Sequence, residues 1–233
     1  YRYFISSHSS EVAERDCLIL RIAFEAGLRV ASTASLKTTD FEATLIERSG
    51  DNFTVRPSIQ KFGMANSFEI SINLAVSIKE YIEGSRQKII RKVGSKTNNL
   101  FLDTIKGSNL LPTSISSNFS KASKKLGLPY RSGIHCWRGL FAENLIDFEI
   151  DARTELGFDT SVESIGLVVS KALGHSNPLS QQRYIRSLRN RQKSSQAFKH
   201  LQEVAVLRQE LLHTSKTCEL LRKEIVELTK DKT

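Results

Sequence analysis

The hydrophobic period changes twice along this chain, and that change limits the folds open to it. From Ser10 the apolar residues Val12, Leu18, Ile19, Ile22 and Ala23 fall on a helical stripe. Ser10 reads as the cap, Glu11 and Glu14 sit near the positive end of the dipole, and Gly27 takes the position after the last turn. A short helix is predicted over Val30 to Leu36. From Asp40 the texture turns β-rich. Phe41 to Arg48 and Asn52 to Gln60 read as strands parted by a Ser49-Gly50-Asp51 hairpin signal, and Phe68 to Ile72 as a third. Leu74, Ile78, Tyr81 and Ile82 restore the helical period. Helices are then predicted from Pro112 to a stop at Gly127, over His135 to about Glu149, over about Val162 to Leu173, and around Leu179 to Leu188. The expected class is mixed α+β, mostly helical, with a small antiparallel sheet against the helices.

From about Ser195 to the end the chain reads as one long helix without Gly or Pro. Val204, Leu207, Leu211, Thr214, Cys218, Leu221, Ile225 and Leu228 alternate steps of three and four, a heptad seam flanked by Glu, Lys and Arg. It is either a coiled-coil arm or an amphipathic helix lying on a neighbour.

Bulk properties narrow the function classes. The 233 residues suffice for one large domain or two small ones. A net charge of +9 biases the chain toward nucleic acid or another anionic surface. No apolar run is long enough for a membrane span, and no signal peptide is visible at the N-terminus, so no membrane partner is expected. The chain begins at Tyr1 rather than Met, as a fragment would. Cys17, Cys136 and Cys218 are widely spaced, with neither metal-ligand nor disulfide-scaffold spacing. A reducing intracellular setting, cytoplasm or nucleoid, is expected, with no metal and no cofactor. The basic run from Arg86 to Lys96 is first a solvated helix end. Its second reading is a DNA-phosphate patch of Arg86, Lys88, Arg91, Lys92 and Lys96.

Five pieces of sequence then follow one another in order. Arg29 follows Gly27-Leu28. Lys61 falls between two predicted strands. His135-Cys136-Trp137-Arg138 makes a His-x-x-Arg step at a helix start. Leu173-Gly174-His175 makes a turn, and Tyr184 comes nine residues after His175 (184 − 175). Each alone is ordinary; a lone tyrosine is most often a packing residue. Together, from roughly Ser10 to Arg191, they resemble the catalytic set of the tyrosine recombinases, the phage-integrase family.

That resemblance implies a specific chemistry. Breaking and rejoining DNA without a metal needs a nucleophile that conserves the phosphoester, cations for the phosphoryl oxygens, an acid for the leaving oxygen and a partner for the nucleophile. By resemblance Tyr184 is the nucleophile and forms a 3′-phosphotyrosyl bond. Arg29 and Arg138 grip the scissile phosphate, as a planar guanidinium suits. His135 is a base or hydrogen-bond partner, His175 donates to the phosphate, and Lys61 is the general acid, with Lys37 as fallback. Two departures stand out. Ser32 occupies the position, three after the first arginine, where the family commonly has an acid. The interval from Arg138 to His175 is long, and Asp151 to Ser161 reads as an inserted loop. The resemblance further implies a partner, double-stranded DNA, and a homo-tetramer on paired sites of a mobile element, with integration through a Holliday junction and a C-terminal helix contacting the neighbouring subunit. The expected domains are a catalytic domain over 1–191 and a coiled-coil extension over 192–233. Since 28 residues precede Arg29, the family's N-terminal DNA-clamping domain is expected to be absent from this chain. A type IB topoisomerase and a catalytically silent DNA-binding regulator of the same fold are the alternatives. His-x-x-Arg favours the recombinase over the topoisomerase, which usually carries Lys there.

Overall fold

The computed structural model of the protein describes residues 1–61, 65–129, 132–174 and 182–230, and some side chains of the last segment, Tyr184 among them, lie outside the described set. Helix α2 (Ser10–Glu25) is touched by α1 (Arg2–Ser7), α3 (Val30–Ala34), α5 (Ile72–Glu83), α6 (Ser85–Val93) and α8 (Ile134–Leu156). Being covered on several sides, it buries more than the predicted stripe. Ala13 and Leu20 are buried, and so are Arg15 and Asp16. Arg15 meets its burial cost locally: Nε donates to Asp16 Oδ1 at 2.8 Å and Nη1 donates to the Leu102 carbonyl at 2.9 Å.

The sheet has two strands, β1 (Asn52–Val55) and β2 (Phe68–Ser71), paired antiparallel with Phe53 opposite Ile70 and Val55 opposite Phe68. Phe53, Val55, Phe68 and Ile70 face the core, and the residues between them point away. The strand predicted over Phe41 to Arg48 is not one. A 3₁₀ turn (Thr38–Phe41) leads into the short helix α4 (Ala43–Glu47). Asp40 Oδ2 accepts from the Lys37 backbone N–H at 2.8 Å and closes that turn. Phe41 then stacks on Phe53 at 5.7 Å, and α4 buries Ile46 beside α5. Packing therefore overrides the strand propensity of this stretch. Ser49-Gly50-Asp51 joins α4 to β1 instead of turning a hairpin. β1 also stops at Val55, two residues before Pro57, which has no N–H for a ladder.

Helix α7 (Pro112–Lys125) begins on its proline and ends before Gly127, as the sequence suggests. The predicted loop from Asp151 to Ser161 is mostly helix. α8 runs on to Leu156, and only residues 157–161 connect it to α9 (Val162–Ala172). Arg153 holds that last turn: Nε donates to Glu149 Oε2 at 2.9 Å, and Nη1 donates to the Asp159 carbonyl and to Ser164 Oγ, each at 2.7 Å. Gly157, at φ 69°, ends the helix, and the Phe158 N–H reaches back to the Arg153 carbonyl at 2.8 Å.

Helix α10 (Gln182–Lys230) is continuous over 49 residues where the sequence suggested two helices. No Gly or Pro interrupts it, so nothing stops the backbone ladder. Leu179, where the first of those two helices was expected to begin, lies outside the described residues. The chain divides into two units, Tyr1–Tyr184 and Ile185–Thr233. Among the described residues, every buried hydrophobic belongs to the first, between Phe4 and Leu173. In the second, residues 199–219 are exposed throughout. No described helix is long and apolar enough to cross a membrane.

Candidate active site

Two helix ends and one loop build the site. At the end of α2 the chain turns through Gly27, at φ 59°. A Cβ there would lie 2.4 Å from the Phe141 ring of α8, so only glycine allows α8 to approach this closely. The tight turn leads to Arg29, an extended residue that caps α3 and is half-buried.

Arg138 sits on α8, one helical turn before Phe141. It is 6% exposed, and its two terminal nitrogens reach different segments. Nη1 donates to the Gly27 carbonyl, and Nη2 donates to the Leu173 carbonyl at 2.8 Å. Arg29 Nη1 reaches the next carbonyl, that of Gly174, at 3.5 Å. The two arginines thus meet at one turn, the Leu173-Gly174 step that closes α9 and leads into His175. His175 itself lies outside the described residues.

Gly174 is the second glycine that the site requires. Its φ is 59°, and a Cβ would lie 2.9 Å from Asn66 Nδ2 and 3.2 Å from the Phe68 ring. The connection between β1 and β2 therefore packs directly against the turn held by the arginines. Gln60 folds that connection: Nε2 donates to the carbonyls of Asn66 at 2.7 Å and Pro57 at 3.2 Å, and Oε1 accepts from the Asn66 N–H at 3.0 Å. Ser35, at the end of α3, anchors it from the other side. Its Oγ accepts from the Ile59 N–H at 3.0 Å, and its carbonyl accepts from Ser58 Oγ at 3.1 Å. Lys61 is exposed on this tethered connection, between the two strands. Lys37, the fallback, is exposed at the start of the 3₁₀ turn.

His135 is exposed in the first turn of α8, one turn before Arg138. Ser32, in place of an acid, is buried, and its carbonyl accepts from Ser35 Oγ at 2.9 Å. Trp137 is partly buried, edge-on to Phe24 at 6.4 Å. Tyr184 is the third residue of α10; its side chain lies outside the described set. The structure therefore brings Arg29, Arg138 and the turn before His175 together, with the Lys61 loop packed on that turn. Gln60 and Asn66 were not foreseen from sequence. The Gln60 amide clips main-chain groups and Asn66 packs on Gly174, roles that leave no periodic or motif signal.

The basic run divides. Arg86 belongs to the interior, 3% exposed. Its Nε donates to the Asn99 and Leu100 carbonyls at 3.1 Å, and Nη2 to those of Thr97 and Asn99 at 2.7 Å. Burial lowers its pKa from the ordinary arginine value. The reading of Arg86 as a DNA contact is therefore corrected: the side chain is buried and its donors are spent on the carbonyls of the 97–100 segment. Lys88, Arg91, Lys92 and Lys96 are exposed on and just beyond α6. Among the described residues, no cluster of three or more His, Cys, Asp or Glu is arranged to hold a metal ion.

No protein-family model matches the chain, and no curated protein matches it by sequence. Solved structures do. The site-specific recombinase XerH bound to palindromic difH substrate, in a post-cleavage complex, superposes with a TM-score of 0.57 at 19% identity, over 84% of this chain and 49% of that one. XerH in its pre-cleavage complex gives 0.55 at 19% identity, over 78% of this chain and 47% of that one. XerA recombinase gives 0.53 at 17% identity, over 84% and 62%. The chain thus spans about half the length of the XerH structures. At such identities the likeness is one of architecture: mostly helical, with a small antiparallel sheet, the chain has the tyrosine-recombinase catalytic fold.

Proposed function

We propose that this chain is the catalytic part of a site-specific DNA recombinase or integrase, which cuts and rejoins duplex DNA through a 3′-phosphotyrosyl intermediate. One observation carries the reading. Arg138 and Arg29 both donate to the Leu173-Gly174 turn, so two fixed positive charges stand together just before His175. A scissile phosphate there would be met by cations pre-oriented by main-chain carbonyls, which is where charge builds in the transition state.

In this reading the Tyr184 hydroxyl attacks the phosphorus and the 5′-oxygen leaves. Arg29, Arg138 and His175 stabilise the charge on the non-bridging oxygens. Lys61 protonates the leaving oxygen, and His135 assists the phenol as base or hydrogen-bond partner. The reverse attack by a 5′-hydroxyl rejoins the strand with the bond energy conserved, so no nucleotide is consumed. Lys88, Arg91, Lys92 and Lys96 contact DNA phosphates. Four chains pair two sites, and exchange passes through a Holliday junction. The cellular setting is intracellular, where such DNA lies.

The test uses a nicked suicide duplex carrying the cognate site, found by sequencing DNA covalently trapped from a genomic library. Wild-type protein should accumulate a covalent adduct, and Tyr184→Phe should form none. An adduct that survives the substitution removes Tyr184 as nucleophile. Lys61→Ala should cleave slowly on ordinary DNA and regain near-wild-type cleavage on a 5′-bridging phosphorothiolate, whose leaving group needs no proton. No rescue would pass the acid's role to another lysine. Relaxation of any supercoiled plasmid regardless of sequence would indicate a topoisomerase instead.

A further inference from the structure

Among its described residues, the seam of α10 is exposed. Val204, Leu207, Leu211 and Leu221 are 46%, 62%, 71% and 52% exposed. An apolar stripe of this length on a polar helix is stable in water only against a partner. The heptad register identifies that partner. With Val204 at position a, the other a residues are Leu211, Cys218 and Ile225, and the d residues are Leu207, Thr214, Leu221 and Leu228. The β-branched Val204 and Ile225 at a, with Leu207, Leu221 and Leu228 at d, lean toward two parallel strands.

The flanking charges give the same answer. The g positions hold Glu203, Glu210, Thr217 and Glu224, and the e positions hold Arg208, Ser215, Arg222 and Thr229. Parallel in-register pairing sets each g against the e position of the following heptad on the partner. That places Glu203 beside Arg208 of the other copy and brings no like charges together. Antiparallel pairing sets g against g and e against e, glutamate facing glutamate and arginine facing arginine. Within its own helix Glu203 meets an exposed His200, at 3.4 Å, a contact readily exchanged.

We propose that residues 204–228 of α10 form a parallel, in-register, two-stranded coiled coil with the same segment of a second copy of this chain. Thr214 and Cys218 occupy its middle layers, so the pairing is reversible rather than permanent. In-register pairing also brings the two Cys218 thiols into one layer. The inference rests on the register and charges of α10, not on the recombinase reading, and it is tested without DNA.

The experiment takes the full chain, free of DNA, through sedimentation equilibrium and through crosslinking by a short bismaleimide. A concentration-dependent dimer of 26.2 kDa chains is expected, with the crosslinked peptide mapping to Cys218 on both copies. Cys218→Ser should abolish the crosslink and keep the dimer. Glu203→Arg should weaken association about tenfold by turning two attractive contacts into repulsive ones. Adding Arg208→Glu should restore it to within about twofold. A chain that stays monomeric up to about 100 µM would overturn the proposal, on the scale where reversible coiled coils assemble. So would a Cys218 crosslink that maps to Cys136, or a double variant no better than the single one.

Discussion

Arg86 and Lys88 sit two residues apart on one basic helix, the first buried and the second exposed. Arg86 spends its donors on buried carbonyls, so Arg86→Ala should lower stability by about 3 kcal/mol in denaturant titration, mostly by leaving those carbonyls unpaired. Lys88→Ala should leave stability nearly unchanged and, on the proposed DNA contact, reduce the salt slope of DNA binding by about 1. The composition of the run pointed to DNA but could not distinguish these two roles, because burial depends on the 97–100 segment folding back over α6. Gly174 makes a related point. Gly174→Ala adds left-handed strain and a clash with Asn66, so it should cost about 1–2 kcal/mol and slow cleavage more than it weakens DNA binding, measured by adduct formation against gel shift. Asp103 provides a pH test. The N–H groups of Lys106 and Ile105 donate to its carboxylate and hold its pKa below the ordinary carboxylate value. A depressed folded pKa stabilises above the unfolded value and loses that stability as pH falls through the folded one. Asp103→Asn should therefore flatten the acid limb of the stability profile slightly, the residue being only partly buried.

Among the elements, those with a strong unbroken period were legible: α2, α5, α7, α9 and the strand at Phe68. The region around Phe41 was not, because a short apolar segment satisfies either period until its neighbours choose. Phe53 and α5 chose the helical one. The end of α8 was misread for a related reason. Asp151 to Leu156 is polar on most sides and looks like a loop, yet Arg153 pins it through partners beyond the next turn. Hydrogen exchange should show amides 151–156 protected like the rest of α8, and Gly157→Ala, which meets no neighbour, should cost only about 1 kcal/mol of conformational strain. In the site, the order of the motif residues was readable. The meeting of Arg29 and Arg138 was not, because the carbonyls of Gly27, Leu173 and Gly174 hold those two side chains, and carbonyls are the same in every residue.

At the scale of the molecule, the described core lies within Tyr1–Tyr184, and the second unit has an exposed surface over 199–219. A chain ended after Arg191 should therefore melt within about 3 °C of the full one in a thermal scan, since the exposed stretch 199–219 contributes little buried area. The same chain should lose self-association. The rigid α8 has a practical consequence as well. Gly157 lies 19 residues beyond Arg138 on one uninterrupted helix, about 29 Å away at the rise of an α-helix. The short turn beyond it is exposed at Phe158 and carries none of the proposed catalytic groups. A peptide epitope or a fluorophore spliced in beside Phe158 would ride on the same rod as Arg138 while staying clear of it, giving a handle for watching single molecules without disturbing the candidate site.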